Sequence, residues 1–223
     1  MSSASCPYPC DPLEDASKEI RLGQLSPAPF EEPIQCRLLS VDHGTRSLEP
    51  AYEALSYHWE PHSGHSIRLN EQDTFRVTNN LAAALRYLRH QDIVRTLWVD
   101  APCINQADLV ERNTQVQVMR RIFNKATRII VWLGQPPLLA VPIMAYLDLP
   151  MPISLLVQGD SNWWKRIWTV QEAVMARRLN VQYGSREMAW NEFLNLLDLA
   201  LDTLSQTAKD RGSTSADGDI KQR

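Results

Sequence analysis

Glycine is scarce in this sequence, with 8 residues among 223. Neither G-x-x-x-x-G-K-[ST] nor G-x-G-x-x-G occurs, so the common glycine-rich loops that cradle nucleotide phosphates are absent. Cysteine is also sparse. Cys6, Cys10, Cys36 and Cys103 are too few for a disulfide scaffold at this length, and their spacing is not that of a zinc site.

Neither sign of charge dominates the chain. Its 23 Lys and Arg against 26 Asp and Glu give a net charge of -3 and an isoelectric point near 6.0, which gives no reason to expect nucleic acid as a partner. The N-terminus has no basic region followed by an apolar one, so no secretory signal is visible. These features predict a cytoplasmic protein with reduced cysteines.

One long apolar stretch covers residues 138–157. It contains Pro142, Pro150, Pro152 and Asp148, and prolines and an acid are costly inside a bilayer. We therefore expect no membrane span here, but a segment that is buried or covered by a partner.

Apolar patterning alternates between strand-like and helix-like runs along the middle of the chain. Strands are predicted over 34–41, 52–57, 96–99, 128–133 and 179–183, with a small hairpin over 67–77. Helices are predicted after the caps Thr78, Asp108 and Ser161, and again around Phe193. This alternation indicates an α/β domain with a largely parallel sheet.

Two details of these predictions concern particular side chains. The helix after Asp108 carries Val116, Met119, Ile122 and Phe123 at helical spacing, typical of a buried face. Asp108 and Glu111 have the spacing of a capping box, with Asp in place of Ser or Thr.

The composition also suggests the domain limits. Residues 1–18 are rich in Ser, Pro and Asp and are predicted to be disordered. Residues 202–223 are predicted to form a flexible tail. A single domain is expected over residues 19–201.

Four sequence blocks resemble the fungal heterokaryon incompatibility (HET) domain, in the order expected for that family. They read YEALSYHW at 52–59, FRVTNNL at 75–81, LWVDAPCINQ at 97–106 and RIWTVQE at 166–172. Three departures stand out: Glu60 replaces a usual Gly, Pro102 replaces a usual Ile, and the stretch after Gly134 lacks the usual acidic start. The resemblance implies a role in self/non-self recognition and regulated cell death, through protein partners or self-association.

HET domains are in turn similar to TIR domains. That similarity implies a three-layer TIR-like (flavodoxin-like) fold, with a mainly parallel central sheet flanked by helices and an N-terminal β extension. TIR-type folds include enzymes that cleave NAD at the nicotinamide–ribose bond. By resemblance Glu172 is the catalytic candidate, and NAD is a substrate rather than a cofactor. The candidate NAD-binding residues are Ser56, Tyr57, Trp59, Asp100, Asn105 and Trp168, and no metal is expected.

The implied chemistry is physically reasonable for one carboxylate. Cationic nicotinamide is already a good leaving group, so no paired acid is required. A carboxylate at Glu172 can hold the ribose hydroxyls and stabilise oxocarbenium-like charge at the anomeric carbon. A site at the carboxyl ends of parallel strands would bring together residues 56–59 and 100–106.

Each candidate also has a structural interpretation, which the sequence leaves open. Glu172 can be a solvated helix carboxylate, Asp100 can cap a loop, and Asn105 can bond loop backbone. Trp59 can pack in the core instead of stacking on a base. The whole domain can be a catalytically silent interaction module.

Two further constellations are weaker. Cys103 with His58 would make a thiol and base pair, but no local cation visibly lowers the thiol pKa, which favours a small half-buried cysteine. His58, His62 and His65 lie close in sequence without a carboxylate or thiolate pattern to complete a metal site.

Overall fold

The computed structural model describes residues 8, 10–44, 50–60, 64–70, 72–135, 178–196, 198–199 and 202. Within these residues, nine strands form one sheet in the order β5-β4-β2-β1-β6-β3-β7-β8-β9. The strands are β1 (Glu19–Leu25), β2 (Gln35–Asp42), β3 (Glu53–Ser56), β4 (His65–Leu69), β5 (Gln72–Val77), β6 (Arg95–Trp98), β7 (Ile129–Trp132), β8 (Leu179–Tyr183) and β9 (Arg186–Ala189). The helices are α1 (Asn79–Leu88), α2 (Asp100–Cys103) and α3 (Leu109–Lys125), and residues 190–196 are also helical.

The sheet is mixed, so the α/β class is confirmed while the prediction of a mainly parallel sheet is wrong. Strands β6, β3, β7 and β8 are parallel neighbours. The pairs β1–β2, β1–β6, β4–β5 and β8–β9 are antiparallel, and β2–β4 is parallel. The N-terminal strands extend the sheet, because β1 pairs directly with β6 and β2, β4 and β5 continue beyond it.

Helices α1 and α3 contact opposite faces of the parallel strands. The ring of Tyr87 in α1 lies 5.5 Å from that of Trp132 in β7, and Phe123 of α3 meets Trp98 of β6 edge-on at 5.4 Å. Side chains alternate between the faces of a strand, and the register Ala54–Trp98 and Ala54–Ile129 puts Trp98 and Trp132 on different faces. All four residues of β7 are buried, which confirms that this strand is covered on both sides.

The buried face of α3 agrees with the predicted one at Ile122 and Phe123 and departs from it at Val116. Val116 is 48% exposed, and the buried residues are Glu111, Gln115, Val118, Ile122 and Phe123. Gln115 Nε2 donates hydrogen bonds to the backbone oxygens of Ala16 and Glu19, each at 2.7 Å. Two polar side chains of α3, Glu111 and Gln115, also belong to its buried face because each finds a hydrogen-bond partner there.

Part of the segment that composition assigns to a disordered N-terminus makes defined contacts. Tyr8 is 5% exposed and meets the ring of Phe75 edge-on at 6.2 Å. Asp15 forms a turn with Ser17 and Lys18, and its backbone oxygen accepts from the amide of Glu19 at 2.8 Å. The amino end of β1 is therefore held by the residues before it.

Three elements were not predicted from sequence. Strand β1 (EIRLGQL) interrupts its apolar residues with Arg21 and Gly23, and β9 (REMA) is short and carries two charges. Helix α2 spans four residues and contains Pro102, so it resembles a loop. Each depends on neighbouring elements that a local pattern does not reveal.

No helix among the described residues is long and apolar enough to cross a membrane. The apolar stretch 138–157 lies outside the described residues, and so does the predicted helix over 161–178 except for its last residue.

His43, just after β2, is fully buried beside the cationic end of α3. Its ring Nδ1 lies 2.9 Å from the backbone oxygen of Lys18, so Nδ1 carries the proton in the neutral form, and Nε2 has no partner among the described residues. Burial lowers the pKa of His43 below its usual 6.5, and the charges of Arg121 and Lys125 lower it further, against the opposing influence of the Lys18 backbone and Asp42.

We expect His43 to make the protein less stable as the pH falls. The unfolded chain takes up a proton near pH 6.5, whereas the folded chain does so only at lower pH. The free energy of unfolding therefore decreases below that point by at most about 1.4 kcal/mol per pH unit. Urea unfolding between pH 7.5 and 5.5 should give a shallower pH dependence for His43→Gln than for the wild type. The exposed His90→Gln is the control, and equal slopes for all three proteins would contradict the assignment.

Candidate functional site

The carboxyl ends of β3, β6, β7 and β8 lie at one edge of the sheet because these strands are parallel. Ser56 ends β3 and is followed by Tyr57 and Trp59, while Asp100 begins α2 two residues after the end of β6. The fold thus brings the segments 56–59 and 100–106 to the same edge, as expected for a doubly wound sheet.

Asp100 is held by hydrogen bonds within the protein. The indole Nε1 of Trp59 donates to Asp100 Oδ2 at 2.8 Å, and the amide of Ala101 donates to Oδ1 at 2.8 Å. The side chain of Gln106 donates to the backbone oxygen of Asp100 at 3.0 Å. These hydrogen bonds hold Asp100 in place in the segment after β6. Its carboxylate joins that segment to the loop after β3.

The two aromatic candidates after β3 contact each other. The rings of Tyr57 and Trp59 are stacked with centroids 6.4 Å apart and planes inclined by 23°. Tyr57 and Ser56 are each 3% exposed, whereas Trp59 is half-buried. Of these three residues, Trp59 is the one whose ring reaches both the core and the edge of the sheet.

Asn105 makes local contacts with the backbone. Its Oδ1 accepts from the amide of Ala107 at 3.2 Å, and its own amide donates to Glu111 Oε1 at 2.8 Å. This is the loop contact that sequence reasoning gave as the alternative to a ligand role.

A buried ion pair fixes the start of α3 beneath this loop. Arg21, fully buried in β1, donates from Nη1 to Glu111 Oε1 at 2.5 Å and from Nη2 to Oε2 at 3.0 Å. Nη2 also donates to the backbone oxygen of Asp11 at 2.8 Å, and the ring of Tyr8 lies 5.0 Å from the guanidinium. Burial is the largest single influence and disfavours the charge. The hydrogen bonds that Arg21 donates to Glu111, together with the electrostatic influence of Tyr8, Glu111 and Cys10, outweigh it, so the pKa of Arg21 is raised.

Sequence reasoning missed the role of Glu111. The capping box is half formed: Asp108 Oδ1 accepts from the amides of Val110 and Glu111, at 2.9 and 3.1 Å. The Glu111 carboxylate does not return to the Asp108 amide but bonds Arg21 and the Asn105 amide instead. An arginine inside the apolar β1 sequence was the available signal, since buried charges are normally paired.

The departures Pro102 and Glu60 are compatible with the fold. Pro102 is the third residue of α2, in a first turn where backbone amides have no partner within the helix. Its backbone oxygen accepts from the hydroxyl of Tyr8 at 2.5 Å. Among the described residues, the only one other than glycine with a positive φ is Asn70, so Glu60 needs no glycine backbone.

The alternatives based on a reactive thiol or a metal find no support in the described residues. Cys103 is fully buried, which raises the pKa of its thiol to about 12, and it accepts a hydrogen bond from the Val99 amide at 3.4 Å. No group of three His, Cys, Asp or Glu side chains among the described residues is placed to hold a metal ion. His62 lies outside those residues.

The carboxylate assigned to catalysis and its neighbour in the motif, Glu172 and Trp168, lie outside the described residues. The catalytic assignment therefore stays a prediction.

Asn80 is a residue at this edge that sequence reasoning did not single out. It is the second residue of α1, and its side-chain amide donates to the backbone oxygen of His58 at 2.8 Å. Its Oδ1 accepts from the indole Nε1 of Trp132 at 2.9 Å. It stands in the block FRVTNNL, in which Thr78 was predicted as the helix cap, and Thr78 does cap α1.

Comparison with known proteins identifies similar sequences. Residues 52–141 match the family model described as heterokaryon incompatibility protein (HET). The chain is also 36% identical over 136 residues to heterokaryon incompatibility protein 6, OR allele, of Neurospora crassa, an alignment that covers 55% of this chain and 20% of that relative. No solved structure matches. The resemblance found in the sequence blocks is thus confirmed.

We expect Glu111→Gln to destabilise the protein by about 3–5 kcal/mol, because it leaves the buried Arg21 charge without a counter-charge. Urea unfolding at pH 7 measures the change. Glu31→Gln is the matched control: Glu31 is 89% exposed and 3.9 Å from Arg86, and its loss should cost less than about 1 kcal/mol. Similar changes in the free energy of unfolding for the two variants would contradict the expectation that the buried pair contributes more than the exposed one.

We also expect Cys36 and Cys103 to resist alkylation in the native protein. Burial raises the pKa of each thiol to about 12, so roughly one thiol in thirty thousand is ionised at pH 7.5. Of the three cysteines among the described residues, half-buried Cys10 should react first. Maleimide labelling followed by peptide mass spectrometry tests this, with labelling in urea as the control. Native modification of Cys103 at the rate of Cys10 would contradict it.

Proposed function

Because residues 52–141 carry the heterokaryon incompatibility domain, we propose that this protein acts in fungal self/non-self recognition. Its relative in Neurospora crassa is named a heterokaryon incompatibility protein. Regulated cell death is the proposed outcome of that recognition, with a protein partner or a second copy of the chain as the trigger. NAD cleavage of the TIR type is the proposed mechanism.

The order of the parallel strands is the observation that supports this mechanism. Numbered along the chain as 1 to 4, strands β3, β6, β7 and β8 lie in the order 2-1-3-4. This is the order of flavodoxin-like sheets, in which ligands bind outside the carboxyl ends of the strands, where the direction of winding reverses. That point lies here between β3 and β7, beside Ser56 and Tyr57. Helices α1 and α3 on opposite faces agree with a three-layer TIR-like arrangement.

The proposed reaction breaks the bond between the anomeric carbon and the nicotinamide nitrogen. The bonding electron pair passes to the pyridinium nitrogen, so nicotinamide leaves as a neutral molecule. The Glu172 carboxylate would hold the ribose hydroxyls and stabilise the positive charge that develops on the sugar. Water then adds to the anomeric carbon and releases a proton, which gives ADP-ribose.

One observation favours a second function, that of a catalytically silent interaction module. The candidate binding residues Trp59, Asp100 and Asn105 all use polar groups to bond other parts of the protein. Such contacts build a rigid surface as readily as they frame an active site. In this alternative, incompatibility would follow from binding a partner and not from turnover.

Nicotinamide release from NAD distinguishes the two functions. Purified full-length protein should release nicotinamide, more so at high protein concentration or with a crowding agent if self-association is required. Glu172→Gln should lower the rate by at least about 100-fold, the typical effect of removing a group that stabilises transition-state charge. Circular dichroism should show an unchanged fold.

Glu31→Gln is the control and should cleave NAD at the wild-type rate, because this exposed carboxylate belongs to the loop before β2. No nicotinamide release by concentrated wild-type protein would refute the enzymatic mechanism. Expression in yeast separates the remaining cases: growth arrest that persists in Glu172→Gln would support the interaction module.

A further inference from the structure

The side-chain amide of Asn80 joins two segments that are far apart in sequence. Its NH2 group donates to the backbone oxygen of His58, and its oxygen accepts from the indole of Trp132. Since an indole can only donate and a carbonyl can only accept, both contacts require a carboxamide in this one orientation. Aspartate has no donor for His58, and alanine has neither group.

Both partners of Asn80 lie where neighbouring strands end. Trp132 is the last residue of β7, and His58 comes two residues after the end of β3. The two strands are neighbours whose ends lie side by side, since Ser56 of β3 pairs with Val131 of β7. Trp132 is 1% exposed, so its indole N–H would be buried without a partner if Asn80 were lost. The amide therefore ties the loop after β3 to the end of β7.

The support for Asn80 is rigid. It lies in the first turn of α1, which Thr78 caps by accepting from the amide of Leu81 at 3.1 Å. Helix α1 is anchored in turn by buried Leu81, Leu85 and Leu88. A side chain held at the start of a packed helix has little freedom to follow a moving loop.

The hydrogen bonds that hold the loop after β3 also reach the end of a third strand, β6. Trp59 follows His58 directly and donates its indole N–H to Asp100 after β6. Hydrogen bonds and one peptide link thus connect Trp132, Asn80, His58, Trp59 and Asp100, a series that we call the carboxyl-edge arc. It crosses the ends of β7, β3 and β6 in turn.

We propose that Asn80 is a positioning residue of the site: it fixes the backbone at His58 so that Trp59 meets Asp100 at the carboxyl ends of β3 and β6. The inference rests on the proposed NAD cleavage for its substrate, a nicotinamide nucleotide. Asn80 itself does not contact the reacting atoms. It acts by holding the loop that carries Tyr57 and Trp59 in place before the substrate arrives.

The test compares Asn80→Ala and Asn80→Asp with the wild type by NMR of the indole N–H groups. Hydrogen exchange of the Trp59 indole should be faster by about tenfold, as expected when a hydrogen bond that holds its loop is lost. This readout is decisive because the side-chain hydrogen bonds of Asn80 go to His58 and Trp132 and not to the Trp59 indole. A role confined to the core would change the Trp132 signal and leave the Trp59 signal unchanged, which would overturn the proposal.

Asn113→Asp is the matched control, since Asn113 is exposed on α3, and it should leave both indole signals unchanged. If the Asn80 variants do not fold, Trp132→Phe removes the same indole donor and keeps an aromatic ring. It should also accelerate exchange at Trp59, and wild-type exchange there would count against the arc.

Kinetics separate this inference from the proposed function. If the wild type cleaves NAD, the Asn80 variants should raise KM about tenfold, with a smaller effect on kcat, because a loosened loop costs substrate binding first. If the wild type releases no nicotinamide, the enzymatic mechanism fails, and the Trp59 exchange rate still decides whether Asn80 positions the loop.

Discussion

The charge of Arg21 is the constraint on which the described structure most depends. A guanidinium with no access to water must be paired and must have its protons accepted. Arg21 is paired with Glu111 and donates to the backbone oxygens of Asp11 and Cys103, and among the described residues only its Nε–H finds no acceptor. One buried side chain in β1 therefore determines where the N-terminal segment, the loop after β6 and the start of α3 lie.

Polar side chains also find partners within the protein at the carboxyl edge of the sheet. The polar groups of Trp59, Asp100 and Asn80 bond one another or nearby backbone, so they give the edge a fixed shape. These three residues are half-buried, and hydrogen bonds that satisfy their polar groups hold the neighbouring loops in one arrangement. The described residues supply the frame, and the carboxylate proposed for the chemistry, Glu172, belongs to another segment of the chain.

An element could be predicted from sequence where its own residues explain its burial, and it was missed where a partner distant in sequence explains it. The strand 129–132 and the helix with Leu81, Leu85 and Leu88 were recognisable because their own apolar residues are buried. Strand β1 was missed, since an arginine in its middle looks like a solvent-exposed residue until its partner is known. In α3 the burial of Ile122 and Phe123 was predicted but that of Gln115 was not, since Gln115 is held by hydrogen bonds to backbone groups of Ala16 and Glu19.

The sequence by itself indicated the resemblance to the heterokaryon incompatibility family, the α/β class and the segments that meet at the candidate site, because these depend on motifs and on short-range patterns. Tertiary structure alone decided that the sheet is mixed, that Arg21 pairs with Glu111 and that Asn80 joins two strand ends. Arg21 and Glu111 are 90 positions apart, and Asn80 and Trp132 are 52 apart. Such pairings form only when separate elements pack together and a buried polar group must find a partner.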